Sequence, residues 1–119
     1  MAPITRFGGN HRMSNVVRHG GTLYLAGQVA EKVDVGIAEQ TREVLSKVER
    51  ILREHGSGKQ HILFCQIFLS DMRLFKGMNE VWDQWVVQGH APARATVQAS
   101  LASPEKLIEV CVTAALAAD

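Results

Sequence analysis

Apolar and polar residues alternate one by one through the last quarter of the chain. Across residues 90–101, Arg94, Thr96, Gln98 and Ser100 fall on one face and Ala95, Val97, Ala99 and Leu101 on the other. Across the run that starts at Lys106, Leu107, Glu109, Cys111 and Thr113 alternate with Ile108, Val110, Val112 and Ala114. A period of two is that of a half-buried strand. Ala102-Ser103-Pro104-Glu105 between them reads as a turn, so the two runs predict a hairpin with Arg94 and Glu109 sharing a face. If Leu101 pairs with Lys106, Arg94 faces Thr113 and Gln98 faces Glu109. Arg94 and Glu109 then stand roughly 13 Å apart along the strands.

The rest of the chain divides by the same reading. Ile4–Phe7, residues 14–19 and residues 22–28 are strand candidates, the last two joined by a tight Gly20-Gly21 turn. Residues 37–55 carry an apolar stripe of Ile37, Val44, Leu45, Val48, Ile51 and Leu52 at three- and four-residue spacing, with charges opposite. That predicts a helix, with Gly56 where a left-handed cap belongs. Residues 61–69 are apolar on both faces and predict a central strand covered on both sides. Ser70-Asp71 predicts the cap of a second helix reaching Gln88, ended by Gly89; its stripe is Leu74, Phe75, Met78, Val81, Trp82, Trp85 and Val86. Pro92 sets an extended entry to the Arg94 strand.

The predicted order is β-β-β-α-β-α-β-β, an α+β domain spanning residues 1–119 whose two helices cover one face of a sheet. The other face keeps apolar residues, so an oligomer that buries it is expected, with Arg94 near a subunit interface.

Composition narrows the functions. Thirteen basic and twelve acidic residues leave a net charge of +1, with no basic run. That argues against nucleic acid as a partner. No apolar stretch is long enough to cross a membrane, and the N-terminal residues lack the apolar block of a signal peptide. Cys65 and Cys111, both inside apolar runs, are expected reduced and buried, as in a cytoplasmic protein. The five histidines show no ligand spacing, so no metal site is expected.

The candidate chemistry is a cation that grips a small carboxylate and an acid that moves a proton. An arginine is a permanent, bidentate anion ligand. A glutamate in an apolar run is either a paired structural carboxylate or a functional acid, and Glu109 is left open between the two. Asn79 is a cap or loop residue or a site residue, and Gly27 marks a bulge or is a site residue.

Five segments occur in one order: Leu23-Tyr24-Leu25-Ala26-Gly27-Gln28, Phe68-Leu69-Ser70-Asp71-Met72, Met78-Asn79-Glu80-Val81-Trp82, residues 91–98 around Arg94, and Leu107-Ile108-Glu109-Val110. Together they resemble the RidA (YjgF, reactive intermediate deaminase) family across nearly the whole chain. Residues 82–92 resemble its YoaB-like branch. The resemblance implies a chorismate-mutase-like fold and a homotrimer. It also implies hydrolysis of small 2-aminoacrylate-type enamines and their imine tautomers to 2-keto acids and ammonia, with no metal or organic cofactor. By the same resemblance Arg94 binds the substrate carboxylate, Glu109 handles the catalytic water, and Asn79 and Gly27 line the site. Thr96 and Met13 take positions where many members carry a cysteine and an aromatic residue, and Ala26 replaces a serine. Those replacements keep a rival open, a non-catalytic trimer that binds small carboxylates or keto acids. RNA-directed activity is a further rival, because some relatives are named endoribonucleases or translation inhibitors.

Overall fold

The computed structural model describes residues 2–117. Strands β1 (Ile4–Phe7), β2 (Val16–His19) and β3 (Thr22–Leu25) form an antiparallel meander. His19 pairs with Thr22 across the two glycines, and Gly20 takes a φ of +59°, the left-handed value this tight turn needs. The chain continues through β4 (Gln28–Val29), α1 (Ile37–Glu54), β5 (Ile62–Leu69), α2 (Phe75–Trp85), β6 (Ala93–Gln98) and β7 (Ile108–Ala115). The sheet order is β1-β2-β3-β7-β5-β6, with β4 also paired to β7. β5 and β6 are parallel, and every other pairing is antiparallel.

The hairpin expected from the C-terminal alternation does not form. β5 lies between β6 and β7, pairing in parallel with the first and antiparallel with the second. The connection steps over the end of β5, where the Ala99 N–H donates to the Leu69 carbonyl and the Ser70 N–H to the Leu107 carbonyl. Gln40, fully buried on α1, pins this crossing by donating to the Glu105 carbonyl (3.0 Å) and accepting from the Leu107 N–H (3.0 Å). Alternation reports which residues share a face, not which strand lies alongside. The helical crossover through α2 returns β6 parallel to β5 and so takes the place a hairpin partner would have had.

Both helices cover one face. β7 alternates along its whole length, with Ile108, Val110, Val112 and Ala114 buried. These meet Leu23, Ile67 and Leu69 from the sheet and Val44, Leu45, Val48, Leu52, Met78 and Trp82 from the helices. β5, expected to be covered on both sides, is covered on one: Cys65, Ile67 and Leu69 are buried while Phe64 and Leu63 are exposed. Tyr24 (47% exposed) and Val97 (46%) are further apolar side chains left in the open. Tyr24 pairs with Thr113, and Val97 pairs with Phe68, on the face away from the helices.

The expected third strand, residues 22–28, breaks in two. Tyr24 pairs with Thr113 and Gln28 with Val110, four steps against three, so one extra residue bulges out at Ala26-Gly27. Lys47 ties the far side of this bulge to α1, donating to the Val29 carbonyl (2.7 Å).

α1 closes as its sequence predicts. The Ser57 N–H donates to the Leu52 carbonyl and the Gly56 N–H to the Arg53 carbonyl, with Gly56 at φ +81°. An alanine at Gly56 has room, with only a Leu116 methyl at 3.9 Å, but must adopt the left-handed conformation. Gly56→Ala is therefore expected to lose about 1 kcal/mol in urea denaturation with an unchanged slope.

The second helix differs at both ends from expectation. It opens with a 3-10 turn over Met72–Leu74, and Asp71 caps that turn by accepting from the Arg73 N–H (2.8 Å). It ends at Trp85 rather than Gln88: Val86 is extended and partly buried against the core. Gly89 (φ +79°) instead sits in a turn closed by the His90 N–H on the Val87 carbonyl. The Arg73 guanidinium, foremost, and the Arg73 N–H pull the Asp71 carboxyl down from 3.8 to about 2. A carboxyl depressed by folding stabilises the fold above its ordinary range, and that contribution fades as pH falls toward 2. Asp71→Ala is accordingly expected to lower the urea midpoint at pH 6, with the gap to wild type narrowing steadily between pH 4 and about pH 2.

Candidate functional site

Arg94 leaves the edge strand β6 on the helix side of the sheet. Its ladder partner on β5 is the fully buried Cys65. The guanidinium meets one face of α2, where Phe75, Asn79 and Trp82 follow at i, i+4 and i+7. Arg94 Nη1 donates to Asn79 Oδ1 at 2.8 Å. The guanidinium carbon lies 5.0 Å from the Trp82 ring centroid and 5.8 Å from that of Phe75, within cation–π range. No carboxylate among the described residues stands within ion-pair distance of Arg94. Thr96, two residues further on the same face, has a buried hydroxyl without a hydrogen-bond partner.

Glu109 points the other way. It pairs with the half-buried Phe68 and lies between the inward-facing Ile108 and Val110, which puts it on the open face. The expectation that Arg94 and Glu109 share a face is thus corrected. Two strand spacings and three residues of register separate them, about 14 Å, with the sheet between. Glu109 sits against the bulge instead: a Cβ built on Gly27 would lie 2.9 Å from its Cδ. Cys111 Sγ, two residues along, is 4.0 Å from Glu109 Oε2. Glu109 also has no ion pair among the described residues.

The residues singled out in the sequence therefore fall into two groups, each a candidate half-site. Arg94, Asn79 and Thr96 gather on the helix side at the β6 edge, and Glu109 and Gly27 gather on the open face. Met13 joins neither within one chain. It is exposed in the loop between β1 and β2, at the sheet edge opposite β6. Phe75 and Trp82 were read as core residues, and their i, i+7 spacing about Asn79 was the available signal that they also face Arg94.

The cysteines occupy opposite faces, since Cys111 pairs with Gln66, the neighbour of Cys65. Cys65 is buried as expected, and burial pushes its thiol up to about 12, with the Arg94 charge pulling weakly the other way. Cys111 is only half-buried, a correction that follows from its place on the open face; burial, foremost, and the Glu109 carboxylate raise its thiol. Both stay protonated at neutral pH. No group of three or more His, Cys, Asp or Glu among the described residues could hold a metal ion. No helix among them is long and apolar enough to cross a membrane.

Clefts open among the described residues, and three of them are well formed. One of about 210 Å³ lies between α1 and α2 beside Trp85, one of about 570 Å³ lies between α1 and the Asn15-Val16 segment, and one of about 320 Å³ lies under residues 99–104. Neither Arg94 nor Glu109 lines any of the three.

Comparison with known proteins places this geometry. The profile of the family described as Endoribonuclease L-PSP matches residues 4–116. The chain belongs to this L-PSP (YjgF/RutC) family. It is 44% identical over 113 residues to the RutC family protein YoaB of Escherichia coli (strain K12), covering 95% of this chain and 98% of that protein. A RutC family protein of Haemophilus influenzae is 42% identical over 104 residues, covering 87% of this chain and 90% of the relative. A crystal structure of a YjgF family member from Neisseria meningitidis superposes with a TM-score of 0.93 at 43% identity, covering 98% of each chain. The resemblance drawn from the five segments is thereby established, and the fold expected of a YjgF member is the one observed.

Proposed function

We propose that this YjgF family chain hydrolyses small enamine and imine intermediates of the 2-aminoacrylate type, in clefts between the subunits of a homotrimer. The observation that carries the reading is the state of Arg94. Its guanidinium is held by Asn79 and two aromatic rings but has no carboxylate partner among the described residues. A fixed, uncompensated cation at a sheet edge is a seat for a small carboxylate.

The oligomer follows from the two half-sites. One protomer cannot bring Glu109 to Arg94, because they project from opposite faces of its sheet. A neighbour whose open face packs near the β6 edge can bring its own Glu109 and Gly27 to that guanidinium. The same packing buries Tyr24, Phe64 and Val97.

The chemistry needs little more. The enamine CH2=C(NH2)–COO⁻ takes a proton on its methylene carbon and becomes the iminium CH3–C(=NH2⁺)–COO⁻. Arg94 holds the carboxylate. Glu109, ending up as its acid, takes a proton from water as the oxygen adds to the iminium carbon. The acid then returns that proton to nitrogen, the C–N bond breaks with its electron pair leaving on ammonia, and ammonia takes the hydroxyl proton, so that pyruvate and ammonium are released. The intermediate is labile in water, so orientation supplies much of the rate. Thr96, two residues along the same face as Arg94, adds a buried hydroxyl without a partner. A cytoplasmic setting suits two cysteines on opposite sheet faces.

The test is release of pyruvate and ammonia from 2-aminoacrylate generated in place by a serine-eliminating lyase. Acceleration over the uncatalysed rate supports the reading. Pyruvate binding in calorimetry without acceleration supports the carboxylate-binding rival instead, and absence of both defeats the site. RNA cleavage, which the family's name suggests, finds no basic run in a chain of net charge +1.

A further inference from the structure

We infer that Trp82 is a positioning residue, whose indole face holds the Arg94 guanidinium in its anion-binding pose. The inference rests on the reading of Arg94 as a carboxylate seat, but its geometry stands apart from any turnover. An arginine on an edge strand has many rotamers to lose on binding an anion. Here most of that freedom is already gone. Asn79 holds Nη1, and the guanidinium carbon lies over two rings, 5.0 Å from the Trp82 centroid and 5.8 Å from that of Phe75. Trp is the strongest of the aromatic partners for a cation, and the shorter of the two approaches is its own.

The platform is itself immobilised. Trp82 is 6% exposed and packs against Trp85, with centroids 5.5 Å apart and planes tilted by 51°. The Trp85 indole N–H donates to Glu49 of α1 (3.2 Å), and Lys59 donates to the Trp85 carbonyl (2.8 Å) while lying 5.3 Å from its ring centroid. Both helices therefore brace the ring on which Arg94 rests. Apart from Nη1, the guanidinium N–H groups have no protein partner among the described residues and are available for a carboxylate to take pairwise.

The experiment follows the guanidinium directly in the full-length protein. In nitrogen-15 spectra the Arg94 Nε–H resonance, assigned by its loss in Arg94→Lys, is expected upfield of the other arginines from the indole ring current. Trp82→Leu keeps an apolar core but removes the π face. It should return the resonance to the ordinary arginine position and weaken pyruvate binding by about fivefold to tenfold in calorimetry. Trp82→Phe keeps a ring and should fall between, and it decides the matter if Trp82→Leu does not fold. An unshifted Arg94 resonance in the wild type overturns the proposal. So does a wild-type resonance and wild-type affinity in a folded Trp82 variant. An upfield resonance in a protein that binds no pyruvate would leave the positioning intact and sink the carboxylate-binding reading alone.

Discussion

Arg94→Ala is expected to lower kcat/KM for 2-aminoacrylate hydrolysis by about a hundredfold to a thousandfold. Each charge-assisted hydrogen bond to a carboxylate is worth about 1.5–3 kcal/mol, and a bidentate pair lost together at the lower end of that range, about 3–4 kcal/mol, gives that fall in rate. The loss should also abolish pyruvate binding in calorimetry, because in the proposed reaction the guanidinium grips substrate and product alike. Arg94→Lys keeps a charge but not the fork, so it should recover only part of the affinity. The fold should survive both changes. Arg94 is half-buried on an edge strand, and its contacts are one hydrogen bond and two ring faces rather than a place in the apolar core. Unchanged activity in folded Arg94→Ala would remove the basis of the proposed function.

Gly27→Ala is expected to separate activity from stability. Gly27 does not have a positive φ, so an alanine backbone fits there without strain. What does not fit is the Cβ, which would lie 2.9 Å from Cδ and 3.1 Å from Cγ of Glu109. The Cβ meets the far end of the flexible Glu109 side chain, which swings aside at small cost to the fold. A shift of about 1 Å in a catalytic carboxylate is enough to lower the rate by about a hundredfold. Hydrolysis should therefore fall by about tenfold to a hundredfold, while the urea midpoint moves by less than about 1 kcal/mol in free energy. Pyruvate binding should change far less than turnover, because Arg94 is untouched. Equal losses in binding and turnover would place Gly27 with the anion seat rather than with the proton-transfer group.

Several elements were legible because their signal is local. The α1 stripe, its glycine cap, the Gly20-Gly21 turn and the Asp71 cap each depend on residues within a few positions of one another. The bulge at Gly27 was one of two readings of that glycine, and the register places it there, with Glu109 packed alongside. The end of α2 was not legible, because the stripe continues to Val86 while burial of that residue against the core draws it into an extended conformation.

The amino-acid order by itself determined which residues face together along each strand and helix, since periods of two and 3.6 are properties of the backbone. It also determined the chemistry on hand: a guanidinium, a carboxylate and an amide in the segments that mark the YjgF family. Only the tertiary structure decided that β5 separates β6 from β7 and that Arg94 and Glu109 leave the sheet on opposite sides. Strand neighbours are chosen by crossover geometry and core burial, which act between residues far apart in the chain and leave no trace in its local pattern.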